Sequence, residues 1–136
     1  IGLSETVEAL GLTTIASPGD AGDIHVPTDR HVSHGDELVV GDLRLGVIGL
    51  RGHTPDGIGL LLRTEEGTHL FPGDSLFPGG PGKTGTREQF DTLMDDLESR
   101  VFAVLEDDVV VHPGHGDDTT LGAERPNLGT WRERGW

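Results

Sequence analysis

The chain has 136 residues, which is enough for one domain with a sizeable core and too few for two. It carries 24 Asp and Glu against 10 Lys and Arg, a formal net charge of −14. This balance argues against nucleic acid or an anionic membrane as a partner, because both require a basic surface. The chain contains no cysteine, which excludes disulfide bonds and thiol nucleophiles.

The chain shows no targeting or membrane-spanning signal. No apolar run approaches the roughly 20 residues that span a bilayer, and no signal peptide is visible. A cytoplasmic location is therefore expected.

The first 36 residues predict one helix, one short strand and a long loop. Apolar residues at helical spacing predict a helix over Leu3–Leu10, with Ser4 able to cap it and Gly11 able to end it. A short strand is predicted over residues 13–16. Residues 17–36 are rich in Pro, Gly, Asp and His, which is typical of a loop.

Four strands are predicted next, separated by turns. Gly41-Asp42 is a hairpin signal between the first two strands, and residues 51–57 have the composition of a loop. The strands are expected over residues 37–40, 43–49, 58–63 and 68–71.

The strongest helix signal begins at Thr86, since Thr86 and Gln89 have the spacing of a capping box. Apolar residues then follow a helical period and are expected in the core: Phe90, Leu93, Met94, Leu97, Val101 and Leu105. A strand over 108–112 and a helix from about Thr119, ended by Pro126, complete the predicted order.

The segment Gly82-Lys83-Thr84 raises the alternative of a phosphate-binding loop. Such a loop requires a glycine at position 77, where this chain has Phe77. Pro78 and Pro81 remove N–H donors that the loop would need, and the helix is expected to start only near Thr86. Nucleotide binding is therefore the weaker alternative.

Three loops share a different design. Each follows an apolar strand, turns at a glycine and presents one metal-binding side chain: His53, Asp74 and His115. Imidazole and carboxylate groups are suitable ligands for zinc, iron or manganese. Three such residues in the same strand-end setting favour a metal site over isolated polar loop residues.

The residues around these loops resemble three successive motifs of the metallo-β-lactamase-fold hydrolases, and the glyoxalase II-like branch is most similar. The resemblance, in the order and spacing of the motifs, extends over about residues 35–127. The motifs are Leu50-Arg51-Gly52-His53-Thr54-Pro55, Leu70-Phe71-Pro72-Gly73-Asp74-Ser75-Leu76-Phe77 and Val111-His112-Pro113-Gly114-His115-Gly116.

The resemblance implies roles for particular residues. His53 and His115 would be metal ligands, and Asp74 would bridge two metals as both a ligand and a catalytic residue. Lys83, the only lysine, stands where relatives place a basic residue that touches the thiol part of the substrate. Asp56 replaces a usual glycine, which puts the local turn in doubt but leaves the ligand.

The remaining histidines match no family ligand. His112 precedes the last motif and is interpreted as structural or as a support for a ligand. The others are expected at the surface: His25, His31, His34 and His69.

The family's first metal motif, His-x-His-x-Asp-His, is not present in this sequence. The resemblance implies an α/β (α+β) fold, the four-layer αβ/βα sandwich, of which residues 1–136 would form the C-terminal part as a single domain incomplete at its N-terminus. The missing motif is expected within about ten residues upstream of Ile1. His53, Asp74 and His115 alone would not complete a metal site.

The resemblance implies a hydrolase with two divalent metal ions, with zinc expected and iron or manganese as alternatives. A metal-activated water would attack the thioester or ester carbonyl of a small-molecule substrate. The alternative is a non-catalytic half-domain or binding module that requires a missing segment or a partner chain. The sequence leaves the oligomeric state open.

Overall fold

The computed structural model describes residues 2–136, so Ile1 lies outside the described residues. These residues form ten strands: β1 (Ile15–Ala16), β2 (Arg30–His31), β3 (Glu37–Val40), β4 (Leu43–Gly49), β5 (Ile58–Arg63), β6 (Thr68–Gly73), β7 (Leu76–Phe77), β8 (Gly80–Pro81), β9 (Val110–Pro113) and β10 (Thr119–Thr120). The α-helices are α1 (Leu3–Leu10), α2 (Arg87–Leu97), α3 (Leu121–Glu124) and α4 (Leu128–Arg134).

A six-stranded mixed sheet forms the centre of the molecule, in the order β10-β9-β6-β5-β4-β3. Strands β3 to β6 form an antiparallel meander, and β9 then pairs with β6 in parallel. A parallel pair requires a long crossover connection, which α2 supplies. The alternation of direction makes β4, β6 and β9 run the same way, so their carboxyl ends lie at one edge of the sheet.

Helix α2 covers one face of the sheet, as the sequence predicts. Thr86 accepts a hydrogen bond from the Gln89 backbone N–H at 3.2 Å, and the Gln89 side chain accepts one from the Thr86 N–H at 3.0 Å. The predicted apolar stripe is buried throughout. It continues past Leu97 because a π-helical turn, Glu98–Phe102, carries the chain onward. These residues form the main core together with the sheet, α3 and α4.

The opposite face of the sheet is covered less completely. A small cluster of Val32, Leu38 and Val47 is buried there. Leu60 on β5 is only partly buried, and Phe71 on β6 keeps 39% of its surface exposed.

Most predicted elements are confirmed, including the hairpin at Gly41-Asp42, and several details are corrected. Ser4 lies inside α1, where Gly2 takes the N-cap position because Glu5 accepts its backbone N–H at 3.1 Å. The predicted loop over 17–36 contains a 3₁₀ turn, Ala21–Asp23, and strand β2. The hairpin of β7 and β8 and the helix α4 were not predicted, and β10 occupies Thr119–Thr120, where the predicted helix was expected to begin.

Candidate metal centre

The three loops selected from the sequence meet at one edge of the sheet. His53 follows β4, Asp74 follows β6 and His115 follows β9, and these three strands run in the same direction. His53 Nε2 lies 3.7 Å from Asp74 Oδ2, and His115 Nε2 lies 3.8 Å from the same oxygen. Residues far apart in sequence therefore converge on one carboxylate.

His53 is oriented by a main-chain contact. Its Nδ1 lies 2.7 Å from the carbonyl oxygen of Lys83, and a carbonyl oxygen can only accept a hydrogen bond. Nδ1 therefore carries the proton in the neutral ring, and the Nε2 lone pair faces Asp74. This is the arrangement that a metal-binding histidine has when its other nitrogen is held by the protein.

His115 is held more loosely. Its side chain is 73% exposed, and its ring packs against Phe77 with centroids 4.7 Å apart. The Phe77 ring thus limits how far His115 can turn away from Asp74.

Asp74 sits where two glycines allow the backbone to come close. A Cβ at Gly82 would overlap the Asp74 carbonyl oxygen, and a Cβ at Gly114 would overlap the Asp74 carboxylate. The Gly114 N–H also donates to the Gly73 carbonyl at 2.9 Å. Glycine is required at both positions because any side chain would push the neighbouring loop away from Asp74.

Asp56, which departs from the family pattern, is accommodated by a reciprocal contact with residues 19–20. Asp20 accepts hydrogen bonds from the Thr54 hydroxyl at 2.5 Å and from the Asp56 N–H at 2.8 Å. The Asp56 carboxylate in turn accepts the Gly19 N–H at 2.9 Å. These bonds fix the loop that follows His53. No sequence motif marks Asp20 for this role, although an acid in a Pro-Gly-Asp turn is a common acceptor for a neighbouring loop.

Arg51 fixes the other side of the same loop to α2. Its backbone N–H and guanidinium donate to the buried carboxylate of Asp96 at 2.8–3.0 Å. Burial opposes ionisation of Asp96, but the hydrogen bonds from Arg51 and the charges of Arg100 and Arg51 outweigh it. The pKa of Asp96 therefore lies below the ordinary aspartate value. The loop carrying His53 is tied to the core by this ion pair.

A cleft of about 410 Å³ opens beside His53 and Asp74. His53 and Asp74 form part of its wall, and Ile15, Ile24 and Ile58 supply apolar surface. Such a mixture of convergent polar groups and apolar walls suits a small organic ligand.

The contacts do not amount to a closed metal site. Within residues 2–136, no group of three or more His, Cys, Asp or Glu side chains could hold a metal ion by itself. His53 and His115 each pair with Asp74, so the described residues offer two pairs of donors that share one carboxylate.

Lys83 lies in the loop before α2, and its side chain is exposed. The helix begins at Arg87, three residues after Thr84, and Pro81 lies in strand β8. A phosphate-binding loop would instead continue directly into the helix from its Lys-Thr step. The backbone therefore does not have the geometry of a nucleotide cradle.

Of the other histidines, His25, His31 and His34 are exposed as expected, whereas the prediction for His69 is wrong. His69 is partly buried, and its Nδ1 lies 3.1 Å from His112 Nε2. His112 Nδ1 in turn lies 2.8 Å from Asp118 Oδ2. This chain of contacts lies on the less covered face of the sheet, and only the strand pairing of β6 with β9 brings its members together.

Every helix in residues 2–136 is too short or too polar to cross a membrane.

Comparison with known proteins finds relatives that include hydroxyacylglutathione hydrolases. No protein-family profile matches the chain. Hydroxyacylglutathione hydrolase GloC from Haemophilus influenzae is 32% identical over 124 residues, which cover 90% of this chain and 54% of the relative. The chain spans about half the length of the curated relatives it matches.

Solved structures agree with this comparison. A metallo-β-lactamase from Staphylococcus aureus subsp. aureus COL superposes with a TM-score of 0.80 at 26% identity, covering 98% of this chain and 47% of that one. The protein TTHA1623 in a di-iron-bound form gives a TM-score of 0.71 at 27% identity, covering 91% and 67%. The predicted mixed α/β fold of this type is confirmed.

Proposed function

Because the chain belongs to the metallo-β-lactamase superfamily, we propose that it forms one half of a two-metal hydrolase site. The observation that carries the proposal is the approach of two imidazole Nε2 atoms to the same carboxylate oxygen, within 3.7 and 3.8 Å. In this proposal His53, Asp74 and His115 would hold the ions, with Asp74 contributing a carboxylate that both histidines face.

The separations between the donor atoms suit metal coordination better than direct hydrogen bonds. Two ligands about 2.1 Å from one ion, at a tetrahedral angle, lie about 3.4 Å apart. The observed separations are slightly longer than this and too long for hydrogen bonds. For His53, the Lys83 carbonyl leaves an unprotonated Nε2 facing an anionic oxygen, and a cation between them would satisfy both.

The remaining ligands are proposed to come from residues outside this chain. His53, Asp74 and His115 would give each ion two donors, whereas zinc sites normally have four ligands. The proposed source is an upstream His-x-His-x-Asp-His segment, and the relatives are long enough to contain one, since the chain matches about half of their length.

Two divalent ions, zinc or iron, would when bound acidify a water and polarise a carbonyl, which is the chemistry that thioester or ester hydrolysis requires. The chain's own residues hold the site in shape. The Lys83 carbonyl fixes the His53 tautomer, and Asp20 holds the loop after His53. Gly82 and Gly114 let the neighbouring backbone close around Asp74.

The substrate class is proposed from the relatives. GloC is a hydroxyacylglutathione hydrolase, so a hydroxyacyl thioester of glutathione is the first substrate to test for this chain. The partly apolar cleft beside Asp74 would accept the acyl group, and the exposed Lys83 would lie on the side of the thiol carrier.

The test uses the protein made from its complete gene. We expect two bound ions per chain by elemental analysis, hydrolysis of lactoylglutathione, and loss of activity on chelation. Asp74→Asn should release metal and lower kcat/KM by at least about 100-fold, since even residues that only support a metal ligand cost 10–100-fold. The matched control is Asp42→Asn, in the β3–β4 hairpin, which should leave both values unchanged.

The 136-residue chain alone should bind metal weakly and show no turnover. Full-rate hydrolysis by this short chain, or unchanged metal content in Asp74→Asn, would contradict the proposed site. A complete protein that binds no metal at all would instead support the alternative of a non-catalytic binding module.

A further inference from the structure

One wall of the cleft beside Asp74 belongs to a segment that lies outside the main sheet. Residues 15–24, here called the wall segment, comprise β1 and the 3₁₀ turn Ala21–Asp23. Within residues 2–136, β1 pairs only with β2, and this two-stranded sheet is separate from the six-stranded one. The residues of the segment that line the cleft are Ile15, Ala16, Ser17, Asp20 and Ile24. Contacts other than strand pairing must therefore hold this wall against the rest of the cleft.

Three hydrogen bonds join the wall segment to the loop that follows His53. Asp20 accepts two of them, from the Thr54 hydroxyl and the Asp56 N–H, and the Asp56 carboxylate accepts the third from the Gly19 N–H. These three bonds are here called the Asp20–Asp56 contact. In the described part of the chain, no other hydrogen bond connects residues 15–24 with residues 33–136. The contact is therefore the main polar tie between the two walls.

The Asp20–Asp56 contact controls where Ile24 stands. It holds Gly19 and Asp20, directly before the 3₁₀ turn, and the Asp23 N–H then donates to the Asp20 carbonyl at 3.1 Å. Ile24 follows this turn and lines the cleft. A Cβ at Gly19 would lie 2.5 Å from the Asp56 Cβ, so the two loops approach as closely as a glycine permits. The position of the Asp56 side chain is thus transmitted to the apolar wall.

The wall segment has a second attachment, which is independent of Asp56. Val32 is buried, and its N–H donates to the Ala16 carbonyl at 3.0 Å. Ala16 and Ser17 are also buried, whereas Ile24 is 38% exposed. Loss of the Asp20–Asp56 contact should therefore release Ile24 and leave the inner part of the wall in place.

We infer that Asp56 is a positioning residue that gives the cleft its preference for substrates with an apolar acyl group. A wall that is already ordered contributes its apolar surface without paying for its ordering when the ligand binds. Asp56 stands where the family pattern has glycine, which has no carboxylate to hold Gly19. The inference rests on the proposed function, because it places the acyl group of the same substrate beside Asp74.

The first test measures binding without turnover. It uses the chelator-treated protein from the complete gene, with S-methylglutathione and S-butylglutathione, which are thioethers that cannot be hydrolysed. Each methylene buried against the wall is worth about fourfold in affinity, the equivalent of about 0.8 kcal/mol. Calorimetry should therefore show that the butyl compound binds about tenfold or more tightly than the methyl compound. Asp56→Gly should lose most of this gain and change the affinity for the methyl compound little.

A conservative variant and a control separate positioning from a general loss of structure. Asp56→Asn keeps an oxygen that can accept the Gly19 N–H, so it should retain the gain from the butyl group. Asp42→Gly, in the exposed β3–β4 hairpin, makes the same replacement elsewhere and should also retain it. With lactoylglutathione as substrate, Asp56→Gly should raise KM and leave kcat nearly unchanged, as expected when binding is lost equally from the ground and transition states.

A double-mutant cycle tests the contact from its other side. Gly19→Ala alone should displace Asp56 and reduce the butyl gain, because the new methyl group would overlap the Asp56 side chain. In the Gly19→Ala/Asp56→Gly double variant this overlap is absent, so binding should be no weaker than in Asp56→Gly alone. Amide hydrogen exchange should be faster in residues 19–24 of all three variants. Additive losses in the cycle would contradict a direct contact.

The outcomes distinguish the inference from the proposed function. If the protein hydrolyses lactoylglutathione but Asp56→Gly keeps the full butyl gain, the inference is overturned and the proposed function stands. Loss of the gain in Asp56→Asn as well would also overturn it. A protein that hydrolyses no thioester refutes the proposed function, and a butyl gain that is lost only in the variants lacking the contact would still support Asp56 as the residue that positions the wall.

Discussion

The two faces of the six-stranded sheet carry similarly apolar residues on β5 and β6, but their surroundings differ greatly. On β5 and β6, Leu61 and Leu70 point toward α2 and are at most 6% exposed. Their neighbours Leu60 and Leu62 lie on the opposite face and are only partly buried, and Phe71 there is 39% exposed. The difference therefore comes from what covers each face and not from the composition of the strands.

This comparison shows where the stability of the described residues originates. The face toward α2 holds the main core, while the opposite face buries only a small cluster. Strands that are apolar on both sides are typical of sheets covered on both faces. The less covered face is therefore a surface suited to further packing, in keeping with the four-layer sandwich that the family resemblance implies.

The largest stability effect is expected for Leu97→Ala, on the α2 side. Leu97 is fully buried, so the cavity should lower the free energy of unfolding by about 2–5 kcal/mol. Leu43→Ala is the matched control, because Leu43 is 48% exposed and should change stability by less than about 0.5 kcal/mol. Urea unfolding measures both, and equal losses in the two variants would contradict the assignment of the core.

Asp96→Asn should have the next largest effect, because it leaves Arg51 and Arg100 without their partner. We expect a loss of about 1–3 kcal/mol in the free energy of unfolding at neutral pH. The folded-state pKa of Asp96 is lowered, so its contribution is present above the ordinary aspartate pKa of about 4 and is lost as the pH falls through the lower folded value.

The same variant should therefore flatten the acid limb of the stability curve. Unfolding measured at several pH values between neutrality and about pH 2 tests this, with Asp42→Asn as the exposed control. If Asp96→Asn and the unmodified chain lose stability in parallel as the pH falls, Asp96 does not contribute in the way proposed here.

A small effect is expected for Phe71→Ser, on the less covered face. Because the Phe71 ring is already 39% exposed, the 136-residue chain should lose only part of the value of a buried ring, about 1–2 kcal/mol. Removing the exposed ring should also reduce any self-association seen by sedimentation, since exposed apolar surface promotes association. A loss of several kcal/mol would show that something covers this face in solution.

Nucleotides are expected to have no effect on stability. Their candidate site is the loop that carries Lys83, which belongs to neither face of the sheet. The Lys83 loop lacks the backbone of a phosphate cradle, so ATP and GTP should leave the melting temperature unchanged. A ligand that binds only the folded state would raise it. A saturable nucleotide-dependent rise that is lost in Lys83→Gln would show that the sequence alternative was correct.

Much of the fold could be predicted because its signals are local. The Thr86–Gln89 capping box and the Gly41-Asp42 turn each act within four residues, and the structure has both. Strands β7 and β8 contain two residues each and are held by contacts distant in sequence, such as Gly79 with Glu124. Helix α4 presents only Leu128 and Trp131 to the core, too few apolar positions to give a clear period.

The candidate site likewise combines features that local sequence signals predict with features that depend on distant contacts. His53, Asp74 and His115 could be selected because each follows a strand in a glycine-rich loop, and the common strand direction then brings them together. Their roles as metal ligands stay a prediction. The support from Asp20 could not be selected, because it depends on a loop brought near by the whole fold.

The close approach of backbone at Gly82 and Gly114 has a consequence for how this protein can diversify. Since a Cβ at either position would overlap Asp74, a library that randomises both should return almost only the parental residue. Variation in chemistry must then enter through side chains that face the cleft beside Asp74, while the frame around Asp74 stays the same. A designer altering specificity would therefore leave these two glycines fixed and randomise the walls of the cleft, beginning with Ile15, Ile24 and Ile58.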